Sequence, residues 1–417
     1  MEPTSLIEID LAAIDHNLDV VRTSLGGGRK RPRPGVCAVL KADAYALGAV
    51  RLARRLEGLG VDMIAVYTPQ QARELIDASI GTPILMLMPI RGLKRDDRLY
   101  RAACRGQLHL TVHDAPNLES LVAIADGLGI SLPVHLELDT GMSRGGVPIG
   151  QDRSQAGGLL ARIDEHPRLR LAGIYTHFAS ADRDEALTRT QHDRFTRWLA
   201  ARRDLVPPEC LVHEASTFGV FRARTYHARM VRVGLALLGY AEGEFADPDE
   251  FELRRFAARL RPALRWTSRV VQLKDVGRRA TVGYRSTWRA KRPTRLALVP
   301  VGYADGYPLA LSNKGVAGIE LPGGAIEHAP VVGRVSMDQL TLDVTDLPRD
   351  AVRLGTTVEL ISALADAPNA LPALASSAGT ISHELLCRLS PRVPRAYSVA
   401  IGEHAARRHA ESTTNAR

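Results

Sequence analysis

The sequence predicts an α/β fold, a (β/α)8 barrel of the TIM type followed by a mainly β C-terminal domain. From Gly35 to about Gly239 one beat repeats: a short apolar run, a turn, then an amphipathic helical pattern. Strands that alternate with helices pair in parallel, and eight such units over roughly 250 residues match a closed barrel. After about Phe251 the beat stops, and polar–apolar alternation broken by Gly and Pro turns takes over, the mark of half-buried strands. The expected division is 1–250 for the barrel and 251–417 for the β domain, with the first segment packing on the latter.

The eight runs, in order, are "VCAVLK" from Val36, "DMIAVY" from Asp62, "PILMLM" from Pro83, "LHLTVH" from Leu108, "PVHLELD" from Pro133, "LRLAGIYTH" from Leu169, "LVHEAS" from Leu211 and "MVRVG" from Met230. Helical patterns such as "PQQARELIDA" (from Pro69) and "APNLESLVAIADGLG" (from Ala115) lie between them. Farther on, "ALRWTSRVVQLKDVG" from Ala263, "RLALVPVGYADG" from Arg295, "APVVGRVSMDQLTLDVTD" from Ala329 and "TTVELI" from Thr356 read as strands. "AGTISHELLCRLSPRVPRAYSVA" from Ala378 reads as a helix and a closing strand.

Composition narrows the function. The chain of 417 residues is 45% hydrophobic and 24% charged, ordinary for a globular protein. Its formal charge of +9 permits an acidic partner, but the basic residues are scattered. The two dense clusters, "GGGRKRPRPG" (Gly26 to Gly35) and "AARRH" (Ala405 to His409), read as a solvated loop and a frayed terminus. Without an aromatic-rich basic stripe, nucleic acid is not an expected partner. No run of 18 apolar residues or basic-then-apolar leader appears, so neither membrane span nor secretory signal is expected, and a cytoplasmic location follows by default. Four isolated cysteines form no CxxC pair, so no metal site is expected; Cys37 and Cys387 sit in apolar contexts and read as core thiols.

In such a barrel the reactive groups gather at the C-terminal ends of the strands. Lys41, Arg144, His177, Ser216, Thr217 and Arg232 all fall at or just beyond those ends. Buried charges are costly unless paired, so this many at one end suggest a shared anionic ligand. Each also has a plainer explanation. Lys41 could be a surface lysine past its strand, Arg144 a solvated turn residue and His177 a satisfied core histidine. Ser216 or Thr217 could be a helix cap. Arg232, between Val231 and Val233, calls for a buried partner.

"AVLKADAYALG" resembles the cofactor-lysine motif of alanine racemases. "LELDTGMSRGG", "YTHFASAD", "VRVGLALLGY", "VGYRSTW", "VGYADGY", "VGRVSMDQ" and "SPRVPR" resemble further blocks of that family in the same order, after the opening "IEIDLAAIDHNL". The resemblance spans nearly the whole chain. It implies an enzyme that interconverts L- and D-alanine by two bases acting with pyridoxal 5'-phosphate, as a homodimer with shared active sites. Lys41 would hold the cofactor covalently and act as one base, and Tyr284 of the other subunit as the second. Arg232 would bond the pyridine nitrogen, with His177 linking Arg232 to Tyr284. Tyr45, Ser216 or Thr217 and the backbone at Gly234 would hold the phosphate. Arg144 would lie near the cofactor's phenolic oxygen and, with Met337 and Asp338 of the partner, near the substrate carboxylate.

Three blocks depart from the family. Glu137 stands where a lysine, often carbamylated, is common; as an anion it is expected to pair with Arg144. His383 replaces a common tyrosine of the "TISHELL" block that helps bind phosphate. "HEAST" is an unusual phosphate block, in which Ser216 replaces an asparagine and Thr217 a serine. Alternative readings are a racemase of serine or of a larger or basic amino acid, a non-catalytic pyridoxal-phosphate carrier, and a decarboxylase on a related architecture. "VGYRSTW" and "SMDQ" favour a racemase over the last of these.

Overall fold

The computed structural model describes residues 3–26, 33–149, 154–241, 255–256 and 258–398. Most of the basic loop cluster and all of the tail cluster lie outside them. Strand β1 (Ser5–Asp10) opens the chain, and Asp10 caps the helix Leu11–Leu25 by accepting from the amides of Ala12 and Ala13. The eight expected barrel strands follow. They are β2 (Gly35–Val39), β3 (Met63–Val66), β4 (Ile84–Met86), β5 (Leu108–Val112) and β6 (Leu132–Asp139), then, after the short β7 (Val147–Pro148), β8 (Leu169–Tyr175), β9 (Leu211–His213) and β10 (Met230–Val233).

Barrel neighbours pair in parallel in the order β10-β2-β3-β4-β5-β6-β8-β9. The seam between β9 and β10 is bridged by Arg229 N–H donating to the Val212 carbonyl (3.0 Å) and Arg232 N–H to the Ala215 carbonyl (2.9 Å). The strands are mostly apolar because they are covered on both sides, by the helices outside and by their own inward side chains within. Helix starts follow local chemistry. Thr68 and Gln71 form a reciprocal cap on Pro69–Asp77, and Asp114 caps Ala115–Leu128, which ends at Gly129 with φ +70°.

The C-terminal part holds β11 (Leu264–Arg269), β12 (Gln272–Val276), β13 (Thr281–Val282), β14 (Trp288–Arg289), β15 (Thr294–Val299), β16 (Val316–Glu320), β17 (Ile326–Pro330), β18 (Leu340–Asp343), β19 (Thr357–Ile361) and β20 (Arg395–Ser398). One sheet runs β17-β16-β19-β11-β1-β20, so β1 is a central strand of this sheet, antiparallel to β11 and parallel to β20. A second sheet is β12-β15-β18, and β13 pairs with β14. The helices Leu371–Ala378 and Ser382–Cys387 precede β20.

Cys37 is buried, but Cys387 is exposed, contrary to the core-thiol expectation. It ends the short helix Ser382–Cys387, whose buried face is Ser382, Leu385 and Leu386, and that spacing turns position 387 away from the core and toward the open cavity at the barrel mouth. Among the described residues, no helix is long and apolar enough to cross a membrane.

Candidate active site

The C-terminal mouth of the barrel opens into a cavity of about 1350 Å³, lined by Lys41, Tyr45, Arg144, His177, Arg232 and Gly234 among others. Glu137, Ser216, Thr217 and His383 also line it, so every barrel-side candidate meets in one place. Tyr284, Met337 and Asp338 do not line this cavity.

Lys41 leaves β2 through an unusual turn. Ala42 to Ala46 all have positive φ, between +51° and +63°, a left-handed turn of five non-glycine residues. The turn is held by Ala44 N–H to the Leu40 carbonyl (2.9 Å) and by Asp43, whose carboxylate accepts from Ala49 N–H (2.7 Å). It carries Tyr45 inward until its hydroxyl lies against Gly234, where any Cβ would overlap it. Burial lowers the Lys41 pKa from its usual value, and the positive charges of Arg144 and Arg232 lower it further.

Arg232, the buried cation that called for a partner, is the centre of a network. Its Nη1 donates to His213 Nδ1 (2.8 Å) and to the His213 carbonyl (3.0 Å). Its Nη2 donates to the Thr176 carbonyl (2.8 Å) and to His177 Nδ1 (3.1 Å). An arginine only donates, so both Nδ1 atoms must be acceptors. His213 therefore carries its proton on Nε2 and donates to His135 Nδ1 (2.9 Å). By the same logic His135 donates from Nε2 to His109 Nδ1 (2.9 Å). A line of three neutral imidazoles thus runs through the barrel interior to Arg232, each tautomer set by the one before it. Burial pushes the His109 pKa down to about 4 and those of His135, His213 and His177 well below the usual range; nearby arginines add to each effect. Tyr175 stacks on His213 with ring centroids 4.8 Å apart, and the Arg232 guanidinium lies 5.0 Å from the Tyr175 ring centre.

Glu137 is buried, but its partner is His113 Nδ1 at 2.8 Å, and it makes no ion pair with Arg144. The expected Glu137–Arg144 pair is therefore absent. The glutamate stem is short, and His113, two positions beyond inward-facing Thr111 on the adjacent strand, meets its carboxylate first. Thr217 Oγ1 accepts from Ala236 N–H (3.3 Å), and Ser216 makes no side-chain cap on the helix Thr217–Arg222. His383 packs against Tyr45 with centroids 5.9 Å apart.

The remaining candidates sit together on the β part. Val282–Gly283 abuts Gly333–Arg334, and Tyr303 N–H and Ala304 N–H donate to the Ser336 and Met337 carbonyls (3.1 and 3.0 Å). These loops present Tyr284, Tyr303 and Met337, with 69%, 45% and 54% exposure, on one surface. Asp338 is held there by Arg392 (2.7 Å), which also bonds Asp305 (2.7 Å).

Sequence reasoning passed over His113, His135, His213 and Arg392. Strand parity held the signal for two of them: His113 shares the face of Thr111, and His135 that of Glu137. Arg392 lay inside the quoted "SPRVPR" block without being singled out.

Residues 9–242 match the family described as alanine racemase, N-terminal domain, and residues 263–397 that described as alanine racemase, C-terminal domain. An alanine racemase of Halothermothrix orenii is 33% identical over 396 residues, covering 95% of this chain and 97% of that one. One from Cutibacterium acnes is 36% identical over 390 residues, covering 93% and 96%. Among solved structures, alanine racemase from D-cycloserine-producing Streptomyces lavendulae superposes with a TM-score of 0.81 at 28% identity, over 97% of this chain and 100% of that chain. The Bartonella henselae enzyme, whose structure holds covalently bound pyridoxal phosphate, does so with a TM-score of 0.77 at 26% identity, over 95% and 100%. With both of its parts matched in order, the chain belongs to the alanine racemase family.

Proposed function

We propose that the chain interconverts L-alanine and D-alanine with pyridoxal 5'-phosphate, in active sites each built from two copies. The observation that carries this reading is the cavity itself, where a lysine of lowered pKa, an anchored arginine and a cradle of hydroxyls converge. The cavity residues fit the cofactor. Tyr45, Ser216, Thr217 and the side-chain-free backbone at Gly234 suit a phosphate, with His383 beside Tyr45. Lys41, whose neutral amine is favoured by burial, would bond the aldehyde carbon.

When bound, the cofactor supplies delocalisation of the electron pair left at Cα. The protein's part is to move protons. Lys41 would take or give the Cα proton on one face, and Tyr284 of a second copy would do so on the other. Arg232, whose Nη groups are held by His213, His177 and three carbonyls, would donate to the pyridine nitrogen without protonating it, since a guanidinium keeps its proton against the far less basic pyridine. Arg144 would receive the substrate carboxylate, with Met337 and Asp338 of the second copy alongside. We assign the barrel, 1–250, to cofactor binding and 251–417 to supply of the second base. The relatives quoted above are all named for alanine, and none supports the serine, larger-substrate or carrier alternatives.

The test is purified protein loaded with pyridoxal phosphate and given L-alanine, D-alanine, serine or lysine, with enantiomers separated chirally. Equal D- and L-alanine from either start is expected, and Lys41→Ala should abolish both this and borohydride-fixable cofactor. Loaded protein that leaves L-alanine unchanged would sink the proposal. A cytoplasmic location is proposed from the four free cysteines, and recovery outside that fraction would oppose it.

A further inference from the structure

One buried titratable pair in the cavity wall has no part in the chemistry above. His113, just past β5, has both ring nitrogens engaged: Nδ1 with Glu137 Oε2 at 2.8 Å and Nε2 with the Leu87 carbonyl at 2.9 Å. A carbonyl can only accept, and a carboxylate accepts, so both nitrogens carry protons and the ring is an imidazolium. Burial works against that charge, but the hydrogen bond to Glu137 and its negative charge prevail, and the His113 pKa is raised. Asp114, next in the chain, adds to the rise; Tyr175 from β8 faces the same carboxylate, and Arg144 and Lys41 share the cavity.

The loop carrying Arg144 rests on this pair. A Cβ on Gly146 would lie 2.7 Å from Glu137 Cγ and 2.9 Å from its carbonyl oxygen. One on Gly145 would lie 3.4 Å from both Glu137 Oε2 and His113 Nδ1. The loop's other end is pinned by Asp139, whose Oδ1 accepts from the amides of Gly141 (2.8 Å), Met142 (2.9 Å) and Ser143 (3.1 Å). Between these anchors the Arg144 side chain makes no hydrogen bond or ion pair with the described residues.

We propose that the His113–Glu137 pair is a positioning device: it supports the Arg144 loop from beneath and occupies the Glu137 carboxylate, keeping the Arg144 guanidinium free for the carboxylate of the substrate. This rests on the assignment of Arg144 to the substrate carboxylate. His113, in the wall of the cavity, acts through Arg144. A neutral His113 would leave one of its two acceptors without a proton and Glu137 without a counter-charge, free to turn toward Arg144.

The experiment has two arms. In the first, histidine ring ¹⁵N spectra are recorded on the full chain without cofactor, with His113 assigned from the spectrum of His113→Gln. Both His113 nitrogens should be protonated at neutral pH, and Glu137→Gln should shift the titration to lower pH. A His113 that is neutral at pH 6, or one that Glu137→Gln leaves unmoved, overturns the proposal. In the second arm, His113→Gln and Arg144→Gln should each raise KM for alanine about tenfold or more with kcat much less affected. The double variant should be no worse than Arg144→Gln alone, because the two act on one interaction. Independent, multiplying effects, or a normal KM in folded His113→Gln, overturn the positioning role. A normal KM in Arg144→Gln instead overturns the Arg144 assignment on which it rests. If His113→Gln does not fold, the titration of the unaltered protein against Glu137→Gln still decides.

Discussion

His135 fits inside the barrel because its neighbour across the strand pair, Gly173, has no side chain: a Cβ there would overlap the imidazole. The ring then bridges His109 and His213, and through His213 supports Arg232. Gly173→Ala should therefore displace His135 and destabilise the fold by about 1–3 kcal/mol, as overpacked cores do; an unchanged urea midpoint would contradict this. The histidines also set two opposite pH responses. His109, His135, His213 and His177 have folded pKa values below the unfolded value of about 6.5. Below that pH the unfolded chain takes up protons that the folded chain refuses, so their stability is full above about pH 6.5 and lost as pH falls toward the folded values, about 4 for His109. Urea midpoints should fall from pH 7.5 to pH 5. His113 has the reverse sign, because its folded pKa is raised. Its contribution is full below about pH 6.5 and fades as pH rises through the folded value, so His113→Gln should be more destabilising at pH 6 than at pH 9. Lys41 and Arg232 were legible in the sequence because a cation at the end of an apolar run demands a reason. The partner of Glu137 was not, since which of His113 and Arg144 it meets depends on side-chain reach across two strands.

The left-handed turn Ala42–Ala46 shows what an element can hide. The apolar spacing of "ADAYALG" suits a helical turn of either hand, so its composition announced a turn but not the hand. For L-residues each left-handed position costs about 1–2 kcal/mol, so five in a row is a local expense that the surrounding contacts must offset. Those contacts are the Asp43 bond to Ala49 N–H and the close seat of Tyr45 on Gly234. A glycine at exposed Ala42 removes the Cβ clash, so Ala42→Gly should leave thermal stability unchanged or raise it. The same change at exposed Ala123, in the right-handed helix Ala115–Leu128, should lower stability by about 1 kcal/mol. A loss at Ala42 as large as that at Ala123 would show that the turn is not strained. The barrel strands were read more easily than this turn, because continuous apolar runs separated by helices have few other parallel solutions. The pairing of β1 with β11 and β20 joins segments more than 250 residues apart and rests on long-range packing that local pattern does not encode.

At the scale of the molecule, the candidate site is divided. Lys41, Arg144 and Arg232 line the barrel cavity, while Tyr284, Met337 and Asp338 stand on an exposed face of the β part, away from it. An exposed surface carrying Tyr284, Tyr303 and Met337, with Asp338 fixed by Arg392, is costly to leave in water and suits burial against a second copy. In a two-fold dimer each cavity would receive the tyrosine of the other chain, so one chain's Lys41 and the other's Tyr284 would form one site. This makes a sharp genetic prediction. Lys41→Ala and Tyr284→Phe should each be inactive alone. In a hybrid dimer, one site carries both lesions and the other carries neither. If subunits exchange at random, half the dimers are hybrids with one intact site of two, and about a quarter of wild-type activity should return. Exchange is followed by differently tagged chains, so that a failure to mix is not mistaken for a failure to complement. If each chain instead completed its own site, no mixture could regain activity, because every Lys41→Ala cavity would lack its lysine and every Tyr284→Phe cavity its tyrosine. Verified hybrids without activity would thus refute the shared site while leaving the Lys41 assignment standing.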